Sequence, residues 1–521
     1  MEKFKERKNI KLGAVAEEIL KTWEKENTFK KSISSRSENN PFVFYEGPPS
    51  SNGLPGIHHV MARTIKDVFC RYKTLKGFRV NRKAGWDTHG LPVELGVEKE
   101  LGITKEDIGT KISVEEYNNA CKKAVMKYTD VWNDLTKKMG YWVDTEKPYV
   151  TYENKYIESV WWLLNQAFKK GYIYKGYTIQ PYSPKAGTGL SSHELNQPGC
   201  YKQVKDTSVT AQFLISNNSS LFQVNEPIYF LAWTTTPWTL PSNTALAINK
   251  NVDYVLIKTK NQYTKDDCCV VLAEKRISSV LSAPFVPKDR LKDENKQIGF
   301  EIIQRFKGAD LIDLTYEQLI PLATPFENAH NAFRVIHGDF VSTEDGTGIV
   351  HIAPTFGADD AKVAENAGVP SMLIKNKAGE LIPLVDLQGK FLPNLDFLSG
   401  KFVKNEYYNK EEEPSRSVDV EIAIALKEQN RAFKVEKYEH NYPHCWRTDK
   451  PILYYPIDSW FIKASSISKK MVDLNKKINW KPKSTGEGRF EKWLENVNDW
   501  NLSRSRFWGI PLPIWRTDDG S

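Results

Sequence analysis

Apolar and polar positions follow two rhythms along this chain, and the changes of rhythm mark its elements. Within residues 1–40, Val15, Ile19, Leu20 and Trp23 form one stripe at helical spacing, which predicts a helical extension before a turn-rich connector from Ser32 to Asn40. Phe42-Val43-Phe44-Tyr45 is a continuous apolar run and predicts a buried strand. It stops at Gly47-Pro48-Pro49-Ser50-Ser51-Asn52-Gly53-Leu54-Pro55-Gly56, whose prolines and glycines suit neither helix nor strand. From Ile57 the period changes. Ile57, Met61, Ile65, Val68 and Tyr72 recur every three or four residues, and Gly77 supplies a stop, so a long helix is expected. Strand, Gly/Pro loop and helix in that order open a nucleotide-binding α/β unit.

Further helices are expected over 113–140 and 151–171, the second carrying Trp161-Trp162. Beyond residue 185 the pattern shifts to short β-rich runs, Ser208–Ile215, Ile228–Trp233, Tyr254–Lys258 and Cys269–Ala273, separated by turn signals as in a barrel or compact sheet domain. Pro284–Gln297 is charged and reads as a surface loop. An amphipathic segment runs from Ser417 to Gln429, and aromatic residues return after Asn441. The simplest organisation is one α/β domain interrupted by a β-rich insertion.

Composition narrows the class. The 521 residues, with 40% hydrophobic and 26% charged positions, are too apolar for disorder and long enough for about three domains. The net charge of +8 permits an anionic partner without demanding one. Met1 to Lys8 has no apolar core of a signal peptide, and no apolar run approaches the roughly 18 residues of a membrane span, so a cytoplasmic protein is expected. The cysteines at 70, 121, 200, 268, 269 and 445 form no C-x-x-C pair, which speaks against zinc and for buried thiols in a reducing compartment.

Four segments carry candidate chemistry. Glu46 to His59 places a Gly/Pro loop at a helix start, where unpaired N–H groups and the helix dipole favour an anion such as phosphate and His58 and His59 can add donors. Read alone, it is better taken as a structural strand–helix turn with exposed histidines. The second segment is Ala84-Gly85-Trp86-Asp87-Thr88-His89-Gly90-Leu91-Pro92-Val93-Glu94. The others are Trp233-Thr234-Thr235-Thr236-Pro237-Trp238-Thr239-Leu240-Pro241-Ser242-Asn243 and Gly346 to Asp360. Strand propensity accounts for the threonines singly, and the first turn of a helix Ala358–Asn366 accounts for Asp360.

Taken together, G-W-D-T-H-G-L-P-V-E, the upstream E-G-P-P, W-T-T-T-P-W-T-L-P-S-N and S-R-S-R-F-W-G resemble the isoleucyl-tRNA synthetases of class I, in family order over nearly the whole chain. The resemblance implies an α/β fold: a Rossmann-type nucleotide-binding domain interrupted by a large β-rich editing insertion. It places an extension at 1–40, the first half of the catalytic domain at 41–185, the insertion at 186–440 and the second half at 441–521. It implies that isoleucine and ATP, with Mg2+ as part of the substrate, form isoleucyl-adenylate before transfer to tRNA(Ile). The carboxylate attacks the α-phosphorus without a strong base, so positioning and charge stabilisation are expected to carry catalysis.

By the same resemblance Asp87 binds the substrate ammonium, as a carboxylate is suited to do. Pro49, Trp460 and Trp508 line an aliphatic pocket, although for either tryptophan alone ordinary core packing is the better reading. The family's H-x-G-H signature is altered here to Gly56-Ile57-His58-His59. His59 keeps the last histidine's place, and His58, at the position of the family's glycine, is proposed to replace the missing phosphate contact beside Gly56. The two later strips imply an editing pocket formed by Thr234, Thr235, Thr236 and Asn243 with Asp360, which anchors the misattached amino acid's ammonium, and His351, which helps exclude isoleucine. Pro181–Ser192 and Tyr442–Arg447 resemble the insertion's borders, where Ala186 and Thr448 replace cysteines that relatives often carry. No K-M-S-K-S loop occurs, so the resemblance implies an N-terminal portion of a longer enzyme, monomeric, weak in aminoacylation and free of metal sites of its own.

Overall fold

The expected strand–loop–helix opening folds as a parallel α/β unit. Strand Pro41–Tyr45 pairs in parallel with Arg79–Trp86, which pairs in parallel with Asp144–Val150. The structure, a computed structural model, describes residues 9–216, 221–293 and 295–517. The start of the N-terminal extension, Met1 to Lys8, and the final Ser521 lie outside them. The chain forms two compact units: residues through Tyr174 together with those from Ile462, and Lys175–Phe461. The expected border at 185 follows the strand Ile173–Ser183, and that at 440 falls inside the strand Ala432–Pro443.

In the first unit, the N-terminal extension forms helices Leu12–Glu26 and Thr28–Ser34. Trp23 meets Trp142 edge-on at 5.0 Å, and the Arg71 guanidinium lies 4.0 Å from the Trp142 ring. The helix expected from Ile57 runs to Leu75. Its apolar stripe does not face the core: Ile57, Met61, Ile65, Val68 and Tyr72 are exposed, and the buried residues are Arg63, Cys70 and Thr74. The packed face is held by polar and aromatic contacts instead. Arg63 lies 4.9 Å over Trp132 and donates to Thr136 Oγ1 at 2.9 Å, while Arg82 donates to Thr74 Oγ1 at 2.8 Å. The strand expected to be buried is also half-open. Val43 and Tyr45 are exposed and alternate with half-buried Phe42 and Phe44, so one face of the strand is uncovered.

The single helix expected over 113–140 is two, Val114–Val125 and Thr129–Lys138. Ser51 of the Gly/Pro loop enters the break. Its Oγ donates to Val125 O at 2.6 Å, and its carbonyl accepts Tyr128 N–H at 3.0 Å. These bonds take the place of the helical ones that would otherwise carry the chain through. The helix Asn154–Lys169 forms as expected.

The second unit is built on a mixed seven-stranded sheet. Its order is Phe285–Pro287, Ile298–Lys307, Asp253–Lys260, Asp267–Ala273, Ile228–Thr234, Tyr201–Leu214 and Ala432–Pro443. Strands Asp267–Ala273 and Ile228–Thr234 run parallel, and the flanking pairs Asp253–Lys260/Asp267–Ala273 and Tyr201–Leu214/Ile228–Thr234 are antiparallel. A three-stranded sheet, Arg334–His337, Ala245–Ile248 and Val350–Ile352, adds a second layer of strands. Phe213, Phe230, Leu246, Leu256, Val335, Ile422 and Leu426 share one core and are almost fully buried. Each such side chain contributes roughly 1.5–3 kcal/mol by leaving water. Part of the segment expected as a surface loop, Pro284–Gln297, is structural: Phe285 is buried and stacks on Phe433 at 5.1 Å.

One glycine fixes how closely the first unit's strands approach. A Cβ on Gly85 would lie 2.3 Å from the Tyr149 ring, whose hydroxyl donates to Glu46 O at 2.6 Å. Gly85→Ala is expected to destabilise this unit by about 1–3 kcal/mol. The check is the denaturant midpoint, which should move far less for Gly96→Ala, where a Cβ meets nothing within 4 Å.

Candidate functional site

The candidate residues of the first unit lie on three irregular segments joined by direct hydrogen bonds. Asp87 N–H donates to Pro49 O at 3.0 Å, which ties the end of strand Arg79–Trp86 to the Gly/Pro loop. Trp508 Nε1 donates to Thr88 O at 2.6 Å and its ring lies 5.3 Å from His89. Pro49, Asp87 and Trp508 are therefore brought together. Asp87 is exposed; desolvation by its surroundings raises its carboxyl pKa while a hydrogen bond from the His89 amide opposes the rise, and Pro49 and Trp508 are half-buried apolar surfaces beside it. Trp460 belongs to the second unit, in strand Leu453–Ile462, and is half-buried there.

The helix start at Gly56 has a definite protonation pattern. Gly56 N–H donates to His59 Nδ1 at 2.9 Å, so that nitrogen carries no proton. Burial, with help from the neighbouring His58 and Arg63 charges, lowers the His59 pKa and favours the neutral ring. The proton then sits on Nε2, which acts as a donor. Trp132 fixes the ring edge-on at 4.7 Å and is itself held by Nε1–H donating to Gly53 O at 2.9 Å. His58 folds back: its imidazole lies 3.8 Å from that of His59, and a Cβ on Gly56 would come within 2.9 Å of it. His58 thus occupies the space into which a side chain at 56 would project.

Glu94, quoted in the G-L-P-V-E motif without a role, anchors Trp508. Its Oε1 accepts Phe507 N–H at 3.2 Å and Trp508 N–H at 3.0 Å, and its Oε2 pairs with Arg506 at 3.0 Å. Arg506 also pairs with Glu98, and the side chains of Arg506 and Glu94 are almost fully buried. An acid at position 94 in the otherwise apolar run Val93 to Val97 was the sequence signal for this clamp. Trp132 and Ser51 carried none.

In the second unit a cavity of about 370 Å³ is lined by Trp233, Thr234, Thr235, Phe340, His351 and Asp360, among others. Strand Ile228–Thr234 delivers the threonines, strand Val350–Ile352 delivers His351, and the first turn of helix Ala358–Asn366 delivers Asp360. Asp360 Oδ2 accepts Ala353 N–H at 2.9 Å, and burial pushes its carboxyl up to about 6. A Cβ on Gly357 would meet Asp360 Cγ at 2.7 Å, so glycine there leaves room for the carboxylate. His351 Nε2 lies 3.1 Å from Thr239 Oγ1, and its Nδ1 is buried without a partner. Burial lowers its pKa to about 4, so the ring is neutral at neutral pH. Thr236 and Asn243 stand behind this lining. Thr236 N–H donates to Thr234 Oγ1 at 3.1 Å. Asn243 donates to Ala245 O at 2.8 Å and accepts Tyr316 O–H at 2.7 Å.

All six cysteines are buried and free, and among the described residues no three His, Cys, Asp or Glu side chains gather to hold a metal ion. No helix among them is long and apolar enough to cross a membrane.

A family model for tRNA synthetases class I (I, L, M and V) matches residues 18–521. The isoleucine--tRNA ligase of Bacteroides fragilis is 59% identical over 542 residues, covering 100% of this chain and 47% of its own length. That of Cytophaga hutchinsonii is 59% identical over 531 residues with the same coverage, and that of Clostridium tetani is 45% identical, covering 96% of this chain and 43% of its own length. The chain spans about half the length of the curated relatives it matches.

The clamp around Trp508 is open to test. Glu94→Ala leaves Arg506 short of a partner and two N–H groups unpaired, and is expected to cost about 3–5 kcal/mol. Glu94→Gln, which keeps an acceptor for those N–H groups, is expected to cost less. Urea unfolding followed by tryptophan fluorescence measures both.

Proposed function

Because the chain belongs to the class I tRNA synthetases, we propose that it carries the amino-acid-activating and editing machinery of an isoleucine-tRNA ligase, acting on isoleucine, ATP and tRNA(Ile). The observation that carries this reading is the second unit's cavity, where the threonine strip, a neutral His351 and the Asp360 carboxylate converge.

In the first unit Asp87 takes the isoleucine ammonium, and Pro49 and Trp508 form apolar walls beside its side chain. The carboxylate attacks the α-phosphorus of ATP supplied with Mg2+, pyrophosphate leaves, and the mixed anhydride forms with no proton to remove. The chain's contribution is to hold charge: the helix start at Gly56, the Nε2 proton of His59 and the folded-back His58 face developing phosphate charge. His58→Ala is expected to weaken binding of a sulfamoyl analogue of isoleucyl-adenylate about tenfold, the scale of one charge-assisted hydrogen bond. Unchanged affinity by calorimetry removes His58 from the site.

Valine fits any pocket built for isoleucine and loses only one methylene of contact, about 1–3 kcal/mol; this pair of amino acids is itself the reference case for that limit. A second, hydrolytic site follows from this shortfall. Asp360 receives the ammonium of a misattached valine, the threonine hydroxyls hold the terminal ribose and a water, and His351 limits the room beside them. Water attacks the ester carbonyl, the ribose hydroxyl leaves, and free valine and tRNA result. The direct test is release of valine from valyl-tRNA(Ile) by the chain, with isoleucyl-tRNA(Ile) spared and Asp360→Asn inactive. Equal hydrolysis of both, or full activity of Asp360→Asn, contradicts the reading.

The raised Asp360 pKa sets a pH dependence. Below about 6 the carboxyl is protonated and cannot pair with an ammonium, so affinity for an amide-linked valyl-adenosine should rise between pH 5 and 7 and fall again as the ligand's ammonium loses its proton at about 8. An analogue lacking the amino group should show no such rise. Calorimetry at several pH values compares the two.

A further inference from the structure

The threonine strip leaves its strand at Thr234 and enters the short 3-10 segment Pro237–Ser242. Pro237 has no N–H, so the first amide of this segment that can be anchored is that of Trp238. It donates to Asp419 Oδ1 at 2.9 Å. Asp419 is the second residue of helix Val418–Glu428 and is buried. Its other oxygen lies 3.6 Å from Lys404 Nζ, and Lys404 is buried as well. Lys404 donates to Asp206 Oδ2 at 2.9 Å and lies 4.7 Å over the Tyr442 ring, and Asp206 faces His440 Nε2 at 3.2 Å. Asp419, Lys404 and Asp206, with His440 beside the last, therefore form a row of ionisable groups in the second unit that ends on one backbone N–H of the candidate site.

That N–H governs more than itself. Thr239 N–H donates to Thr236 O at 3.0 Å, Thr239 Oγ1 donates to the same carbonyl at 2.9 Å, and that hydroxyl is the partner of His351 Nε2. The turn through Trp238 thus sets both the threonine strip and the ring facing it. An acid in a helix's first turn is ordinarily accounted for by the helix dipole. Asp419 instead binds an amide of another element and is paired with a buried lysine, and a lone buried carboxylate would sooner take up a proton than stay charged.

We propose that Asp419, supported by Lys404, is a positioning residue for the hydrolytic site, fixing the turn that aims Thr234–Thr236 and orients His351. This rests on the editing reading above, which assigns the chemistry of the cavity; the positioning itself is measurable without it.

The test uses Asp419→Ala, Asp419→Asn and Lys404→Met in the full chain. Two quantities are read: amide hydrogen exchange over 234–243, and kcat and KM for hydrolysis of valyl-tRNA(Ile). Asp419→Ala should speed exchange in that segment about tenfold and lower kcat by a similar factor with KM little changed, the loss of one charge-assisted bond. Exchange elsewhere in the seven-stranded sheet, before Thr234, should stay as in the parent. Asp419→Asn keeps an acceptor for Trp238 N–H and should recover most of both. Parent-like exchange and kcat in Asp419→Ala overturn the proposal. If the parent itself releases no valine, the editing reading fails and the exchange comparison alone decides the role of Asp419. If Asp419→Ala does not fold, Lys404→Met decides, since it strands the carboxylate. It should loosen 234–243 more than Asp419→Asn does, and parent-like exchange in both variants overturns the proposal.

Discussion

A backbone amide removed from water needs an acceptor, and irregular segments leave amides that no helix or sheet ladder pairs. In the candidate site segments of this chain side chains supply such acceptors, some from distant elements and some from the helix that the segment itself enters. Glu94 accepts the amides of Phe507 and Trp508, His59 Nδ1 accepts that of Gly56, and Thr151 Oγ1 accepts that of Thr88 at 2.9 Å. In the second unit Asp360 does this for Ala353 and Asp419 for Trp238. The groups placed nearest the proposed chemistry are thus held by bonds already made before any ligand arrives, which is the condition for electrostatic preorganisation.

The same arrangement explains why the acids of the two units behave differently. Glu94 is fully committed, with both oxygens engaged by Arg506 and two amides, and its task is structural. Asp360 has one amide and no cation, so burial raises its pKa and an incoming ammonium finds a carboxylate short of a partner. Asp87 lies exposed beside two apolar surfaces, and its carboxylate takes the His89 amide, while no ion pair is made to it among the described residues. Committed acids build the loops, and uncommitted ones are left for substrate.

Much of this was legible in the residues, and the failures share a cause. Strand, Gly/Pro loop and helix were read correctly at 41–75, as were the β-runs after 200 and the helix Val418–Glu428, because each follows a local period or a local breaker. The apolar stripe of Ile57–Leu75 predicts the helix and is nonetheless exposed, since periodicity reports which side is apolar and not what covers it. The break at Met126 was invisible because its cause, Ser51, lies some seventy residues earlier in the chain. Lys404 and Asp419, in different segments and without any motif, meet only through tertiary packing. Phe285 reads as surface because charge surrounds it in sequence, while its ring reaches Phe433 across the sheet.

Underlying all of this is one proposition: a single chain offers two ligand sites, one in each unit, with different demands on the amino-acid side chain. Calorimetric titration of the full chain with a sulfamoyl isoleucyl-adenylate analogue and an amide-linked valyl-adenosine, each alone and then each in the presence of the other, tests it most directly. The account predicts one equivalent of each, binding together, with Asp360→Asn abolishing only the valyl ligand. Mutual exclusion of the two ligands, or loss of both with Asp360→Asn, would contradict it.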